Sequence, residues 1–198
     1  MLSVLSGADW EAMFAPYDAP TYQAVLDLLR PEDIVLDIGA GDLQFSRQMA
    51  RIAKTVYAIE INDSILGQGL SWSDPLPDHM IAIHADARTL DFPTGITVGV
   101  LLMRHCTHFR LYAEKLRRAG AERLITNARW HMSIEEVNLQ AVRAAFNDIV
   151  MGWYACVCGA TGFKIGTVRA EDWLAEMDQV IHEVTDCPQC NRIPRHSE

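Results

Sequence analysis

Along the first two thirds of the chain, short unbroken apolar runs alternate with stripes of apolar residues at helical spacing. Residues 19–30 (APTYQAVLDLLR) place Val25, Leu28 and Leu29 on one face and meet Pro31, which predicts a helix that stops there. Residues 33–38 (DIVLDI) form an apolar run that ends in a glycine turn and predict a buried strand. Residues 43–53 follow as a helix with Phe45, Met49, Ile52 and Ala53 inward, and 55–61 (TVYAIEI) as a second strand. A helix over 62–70, a proline-containing loop (SDPLPDH) and strands over 80–84 and 95–103 come next. A helix over 111–119 and a strand over 122–126 complete the series. Residues 133–150 (SIEEVNLQAVRAAFNDIV) predict a long helix, with Ser133 and Glu136 spaced as a capping box. Five strand–helix alternations predict an α/β fold: a doubly wound, mostly parallel sheet covered by helices.

The last fifth changes character. Residues 153–157 and 162–168 predict an antiparallel hairpin, 170–177 a short helix, and 179–185 a strand running into CPQC. The expected division is a core over 1–150 and a C-terminal element over 151–198.

The bulk numbers narrow the function classes. A chain of 198 residues suffices for one domain, or for one domain with a small appendage. No apolar run is long enough to span a membrane, and the first residues (MLSVLSGADWEAMF) lack the basic start of a secretory signal. The expectation is a cytoplasmic protein without a membrane partner. A net charge of −9 disfavours a large nucleic-acid footprint, because phosphate binding needs clustered cations. Local clusters exist (Arg110, Lys115, Arg117, Arg118 and Arg123, then Arg192 and Arg195), and helical spacing makes the first a solvated face.

Chemistry enters at VLDIGAGDLQFS, residues 35–46, where the first strand meets the first crossover helix. Gly39 and Gly41 allow a tight turn and close approach of a ligand to the backbone. The helix start behind them offers free N–H groups. Glu60 ends the second strand, where a carboxylate can accept from both hydroxyls of a ribose. Asp86 follows the third strand (HADAR), where a carboxylate can accept from the exocyclic amine of adenine. Either acid alone reads equally well as a helix cap or an exposed strand end; the glycine turn and both acids in register predict a nucleoside pocket.

Asp37, Gly39, Gly41, Glu60 and Asp86 together resemble the glycine motif and the two following acidic positions of class I S-adenosylmethionine-dependent methyltransferases. The resemblance covers roughly residues 21–127. A nicotinamide-binding protein would favour G-x-G-x-x-G, and Gln44 stands where that pattern wants its third glycine. The chain departs from many methyltransferases at Leu43, where they carry a further glycine. The resemblance implies a Rossmann-like fold and S-adenosyl-L-methionine as cosubstrate. Asp37, Gly39, Ala40 and Gly41 would then lie at its methionine part, Glu60 at the ribose, Ile61 over the adenine, and Asp86 with Ala87 at the adenine edge.

Cys156-Val157-Cys158 and Cys187-Pro188-Gln189-Cys190 bring four soft ligands from two turns, a set that suits structural tetrahedral Zn2+. The expected element is zinc-ribbon-like, although the Cys-x-Cys spacing is tighter than usual. Four unrelated reduced cysteines are the alternative.

LLMRHCTHF, residues 101–109, begins as a strand and collects polar groups at the end where open α/β sheets bind ligands. Arg104 would hold a carboxylate of the cofactor or acceptor. His105 would act as a general base or only cap the strand. Cys106 reads as a small buried hydrophobe. Asn127, Arg129, Trp130 and His131 would border the same cleft, with Arg104 and Arg129 favouring a polar or acidic acceptor. The Asp/Asn-Pro-Pro-aromatic tetrad of many amine methylators is missing from this stretch. The functional expectation is a methyltransferase acting on an unknown acceptor, a protein or a small polar molecule. An RNA methyltransferase and a non-catalytic cofactor-binding scaffold with a zinc-ribbon adaptor are the alternatives.

Overall fold

The computed structural model describes residues 17–104, 106–130, 133–166 and 181–190. The elements are α1 (Ala19–Leu26), β1 (Ile34–Ile38), α2 (Gln44–Met49), β2 (Thr55–Glu60), α3 (Asp63–Leu70), β3 (Met80–His84) and β4 (Val98–Leu101). They continue as α4 (Phe109–Ala119), β5 (Arg123–Thr126), β6 (Glu135–Asn138), a 3-10 turn (Phe146–Asp148), β7 (Gly152–Cys156), β8 (Thr161–Lys164) and β9 (His182–Val184). Local signals set the boundaries. The Asp18 carboxylate accepts the Thr21 N–H at 3.0 Å to start α1, and Asn62 accepts from Ile65 to start α3. Gly120, with φ of 103°, closes α4.

Strands β3-β2-β1-β4-β5-β6 form one six-stranded sheet, parallel from β3 through β5, with β6 antiparallel at its edge. Successive residues of β1 serve opposite faces. Val35 packs with Val25, Met49, Val56, Val98 and Ile125, while Leu36 and Ile38 pack with Ile59, Leu101, Leu116 and Leu124. All four residues of β4 and of β5 are buried, as a sheet covered on both faces requires. The strand order reverses between β1 and β4, which opens a crevice at the carboxyl ends of those strands.

The structure replaces the long helix expected over 133–150. Residues 135–138 instead pair antiparallel with β5, Thr126 opposite Glu135 and Arg123 opposite Asn138. The local pattern there has period two: Val137 and Leu139 are buried, Glu136 and Asn138 are not. Two buried arginines decide the competition. Glu136, expected to close a capping box, accepts from Arg123, and Glu135 accepts from Arg129. Val142, which a helix would need to bury, is 98% exposed.

The second sheet has the order β8-β7-β9. Strands β7 and β8 form the expected hairpin, and β9 joins β7 in parallel. A bridge from Ala144 to Val184 attaches β9 to the segment leaving β6. The short helix expected over 170–177 lies outside the described residues.

Candidate functional site

The turn after β1 is built from backbone constraints. Gly39 and Gly41 have φ of 79° and 58°, in the left-handed region. A Cβ on Gly39 would meet the Met103 methyl, which a flexible side chain can withdraw, so it is the dihedral that requires glycine there. Gly39 and Ala40 N–H both donate to the Ile59 carbonyl at 2.9 Å, which ties the turn to β2. Leu43 also sits at positive φ (66°), the one non-glycine to do so among the described residues, and it is fully buried. The chain thus keeps the left-handed turn at the position where the sequence departs from the methyltransferase pattern.

Carboxylates hold this turn in shape. Buried Asp37 accepts the Ser46 hydroxyl at 2.6 Å, pinning β1 to α2. Burial pushes the Asp37 carboxyl up to about 6, against the Ser46 bond and with help from the charge of Glu60. Glu60, also buried, accepts the Gly41 N–H at 2.9 Å and the Asn62 N–H at 2.7 Å. Its two oxygens thereby join the glycine turn to the start of α3, and each retains lone pairs for hydroxyl donors.

A cleft of about 210 Å3 opens beside the turn. Gly39, Ile61, Asp86, Ala87 and Met103 line it from the ends of β1, β2, β3 and β4, while His108 and Tyr112 close it from α4. Ile61 is an exposed apolar side chain on its rim. The Asp86 carboxylate is bound by the Arg88 backbone N–H at 2.9 Å and by the Arg88 guanidinium at 2.7–2.9 Å. That guanidinium holds the Asp86 carboxyl below its ordinary range. Lys115 donates to the carbonyls of Ala87, Arg88 and Leu90 and fixes the backbone of the loop.

Sequence reasoning missed Arg88, Met103, His108 and Tyr112 as cleft residues. The available signal was their placement: Arg88 lies two residues from Asp86, and His108 and Tyr112 sit one helical turn apart at a strand's carboxyl end. Arg104 lies outside the wall of this cleft; its guanidinium packs 5.0 Å over the Tyr17 ring, whose hydroxyl donates to the Leu102 carbonyl. Cys106 is packed among core residues, and burial raises its thiol to about 11. His105 and His131 lie outside the described residues.

Arg129 is not the cleft cation expected. It is 3% exposed and bonds Glu135 through two nitrogens at 2.9 and 2.6 Å, and Glu183 at 3.0 and 2.8 Å. Its role is to tie the end of β5 to β6 and to β9. The neighbouring Asn127 is 2% exposed, and neither atom of its amide has a partner. Trp130 packs edge-on against Trp153, and its indole N–H is also buried without a partner.

The four cysteines converge. Their Sγ atoms all lie within 4.8 Å of one another, with Cys156–Cys190 at 3.5 Å, Cys158–Cys187 at 3.7 Å and Cys187–Cys190 at 3.9 Å. Tetrahedral bonds of about 2.3 Å to one Zn2+ put sulfurs about 3.8 Å apart, so the donor set fits such an ion. Disulfides, at about 2.05 Å, are excluded by the same distances. The Cys187 N–H points at the Cys190 sulfur at 3.3 Å, and the Gly159 N–H closes the other turn onto Cys156 O at 2.9 Å. The hydrogen bond shared by Cys156 and Cys158 pushes the first thiol up and pulls the second down, favouring a thiolate within the cluster. Among the described residues these cysteines are the one group suited to hold a metal. Gly159 abuts the Phe109 ring, so the cluster leans on the first turn of α4.

No protein-family model matches the chain, and comparison with curated proteins finds no relative. Solved structures with a similar arrangement include precorrin 8w decarboxylase from Methanobacterium thermoautotrophicum (19% identity, 57% of this chain and 63% of that one, TM-score 0.48). The 23S rRNA methyltransferase ErmE is similar at 20% identity over 56% of this chain and 46% of its own (TM-score 0.48). An rRNA methylase from Streptococcus thermophilus is similar at 21% identity over 57% and 72% (TM-score 0.45). The chain therefore spans less than two thirds of the first two of these proteins. Among the described residues no helix is long and apolar enough to cross a membrane.

Proposed function

We propose that the chain is an S-adenosylmethionine-dependent methyltransferase. The observation that carries this reading is the Glu60 carboxylate, buried between the Gly41 and Asn62 N–H groups, with its chain neighbours Ile59 and Ile61 lining a cleft that Asp86 also lines after β3. A carboxylate held by two backbone donors is preorganised to receive a ribose diol. Ile61 offers an apolar face for adenine, and the turn at 39–41 brings bare backbone to the methionine part. Transfer needs the methyl carbon, its sulfonium and the acceptor in line, so orientation by such a cleft supplies much of the catalysis.

The acceptor read as most compatible is a small polar molecule or a protein side chain. Of the first basic cluster, Arg123 is committed to Asp33 and Glu136, Lys115 to carbonyls and Arg110 to Glu114, which leaves Arg117 and Arg118 exposed. That is a small footprint for RNA. Arg192 and Arg195 lie outside the described residues. With Arg129 committed to two glutamates and Arg104 outside the cleft wall, neither supports an acidic acceptor. A Zn2+ ion held by Cys156, Cys158, Cys187 and Cys190 completes the reading as a structural ion.

Calorimetry with S-adenosylhomocysteine tests it. The unaltered chain should bind, and Glu60→Ala should lose about 1–3 kcal/mol of binding; no binding, or binding indifferent to Glu60, overturns the assignment. Transfer of a labelled methyl to fractionated extract separates an enzyme from a silent scaffold. In that assay His105→Ala should slow transfer about 10²–10⁴-fold with product binding retained, if His105 is the base.

A further inference from the structure

The acid expected to read the adenine edge already has a ligand inside the chain. A carboxylate presents about four lone-pair directions, and three N–H groups of Arg88 bond Asp86: the backbone N–H on Oδ1, Nη2 on Oδ2, and Nε, whose single hydrogen both oxygens share. An exocyclic amine therefore competes with the guanidinium for this acceptor. The loop cannot relax out of the way, because Lys115 holds the carbonyls of Ala87, Arg88 and Leu90. The Arg88 side chain itself is half exposed and is the part free to turn. It stands on the ridge between the cleft and a second depression of about 300 Å3, whose wall includes Asp91, an alternative carboxylate for the displaced guanidinium.

We propose that Arg88 sets the base specificity of the cleft: its guanidinium occupies Asp86 in the unliganded site and thereby weakens the preference for an amino purine over a keto purine. The proposal rests on the cofactor reading above. The two groups read opposite edges. Asp86 alone accepts from a 6-amino group and repels a 6-keto oxygen, whereas Arg88 is a planar donor that serves the keto oxygen. With both present, an amino purine must first displace the guanidinium, and a keto purine finds a donor in place.

The experiment is calorimetry on the full chain with S-adenosylhomocysteine and S-inosylhomocysteine, comparing the unaltered protein with Arg88→Ala and Arg88→Met. Thermal melts check folding, and the methionine variant keeps the apolar stem should alanine loosen the loop. Both variants should bind S-adenosylhomocysteine about three- to five-fold tighter, the scale of one exposed ion pair no longer broken on binding. Both should bind the inosyl analogue more weakly, so the amino-over-keto ratio rises about fivefold or more. If the unaltered chain binds S-adenosylhomocysteine and the variants bind it equally or less tightly, Arg88 is an ordinary contact and the proposal fails alone. No binding by the unaltered chain overturns the cofactor reading and the proposal with it.

Discussion

Leu43 holds a backbone conformation that costs an ordinary L-residue about 1–2 kcal/mol, yet its side chain is fully buried between α2 and α3. Glycine would remove the strain and with it a buried leucine, whose truncation costs about 2–5 kcal/mol. Packing wins, so Leu43→Gly should lower unfolding stability by about 1–3 kcal/mol in urea titrations despite its better dihedral fit. Asp37 carries a pH signature. Its folded carboxyl is raised to about 6 from an ordinary 3.8, so the native state binds the extra proton between those values. The contribution of this group to stability is therefore present at low pH and lost as pH rises from about 4 to 6. Ligand binding should run the other way: an ammonium beside Asp37 needs the ionised form, so affinity for S-adenosylhomocysteine should fall as pH drops through about 6. Asp37→Asn should flatten that profile in calorimetry. Asn127 buries an amide with no partner, which costs about 1–3 kcal/mol relative to an apolar group of its shape. Asn127→Leu should raise the melting temperature; a fall would reveal a water bridging the amide to its surroundings.

Among the elements, the segment after β5 separates local propensity from tertiary demand. Residues 133–150 read as helix because charged and apolar side chains recur at helical spacing, yet Glu136 pairs with Arg123, buried in β5, and Glu135 with Arg129, buried just beyond its end. No local pattern records that Arg123 and Arg129, which also pair with Asp33 and Glu183, draw Glu136 and Glu135 to the edge of the sheet. The parallel strands were legible because each is an apolar run bounded by turn residues, and the placement of Glu60 and Asp86 at neighbouring strand ends because strand ends in such sheets converge. Arg88 escaped notice because its role depends on a side-chain direction, which spacing does not encode. The same arginine–glutamate network makes a prediction for β6 and β9. Arg129→Ala leaves mostly buried Glu135 without its cation and Glu183 with Arg143 alone, at 3.6 Å, and should cost about 3–5 kcal/mol. Arg129→Ala with Glu135→Gln and Glu183→Gln should recover a substantial part of that loss in the same denaturation assay.

At the scale of the molecule, the two sheets are joined through the Ala144–Val184 bridge, the Arg129 network and the contact of Gly159 with Phe109. Phe109 opens the helix whose next turn lines the cleft. Removing a metal from the four cysteines should loosen β7, β8 and β9 first, because metal binding of this kind is coupled to local folding. Hydrogen exchange after chelation should therefore rise in residues 152–164 and 182–184 before it rises in β1, β4 and β5. Elemental analysis of protein prepared without a metal-binding tag should find about one zinc per chain, and a metal-free chain of unchanged stability would count against the site.

The pairing of Cys158 with Cys187 also has a meaning in chain statistics. Twenty-nine positions separate them, so an ion held by both closes a long loop in the manner of a reversible cross-link. Closing a loop of that length removes roughly 3–4 kcal/mol of disorder from the unfolded chain by the cross-link relation. That gain depends on length only logarithmically: doubling the enclosed segment changes it by about 0.6 kcal/mol. The stretch between the two cysteine turns is thus where the chain can lengthen or shorten at little thermodynamic cost. A graded series of glycine–serine insertions at residue 166 should leave metal stoichiometry intact and shift the unfolding midpoint only slightly with each doubling.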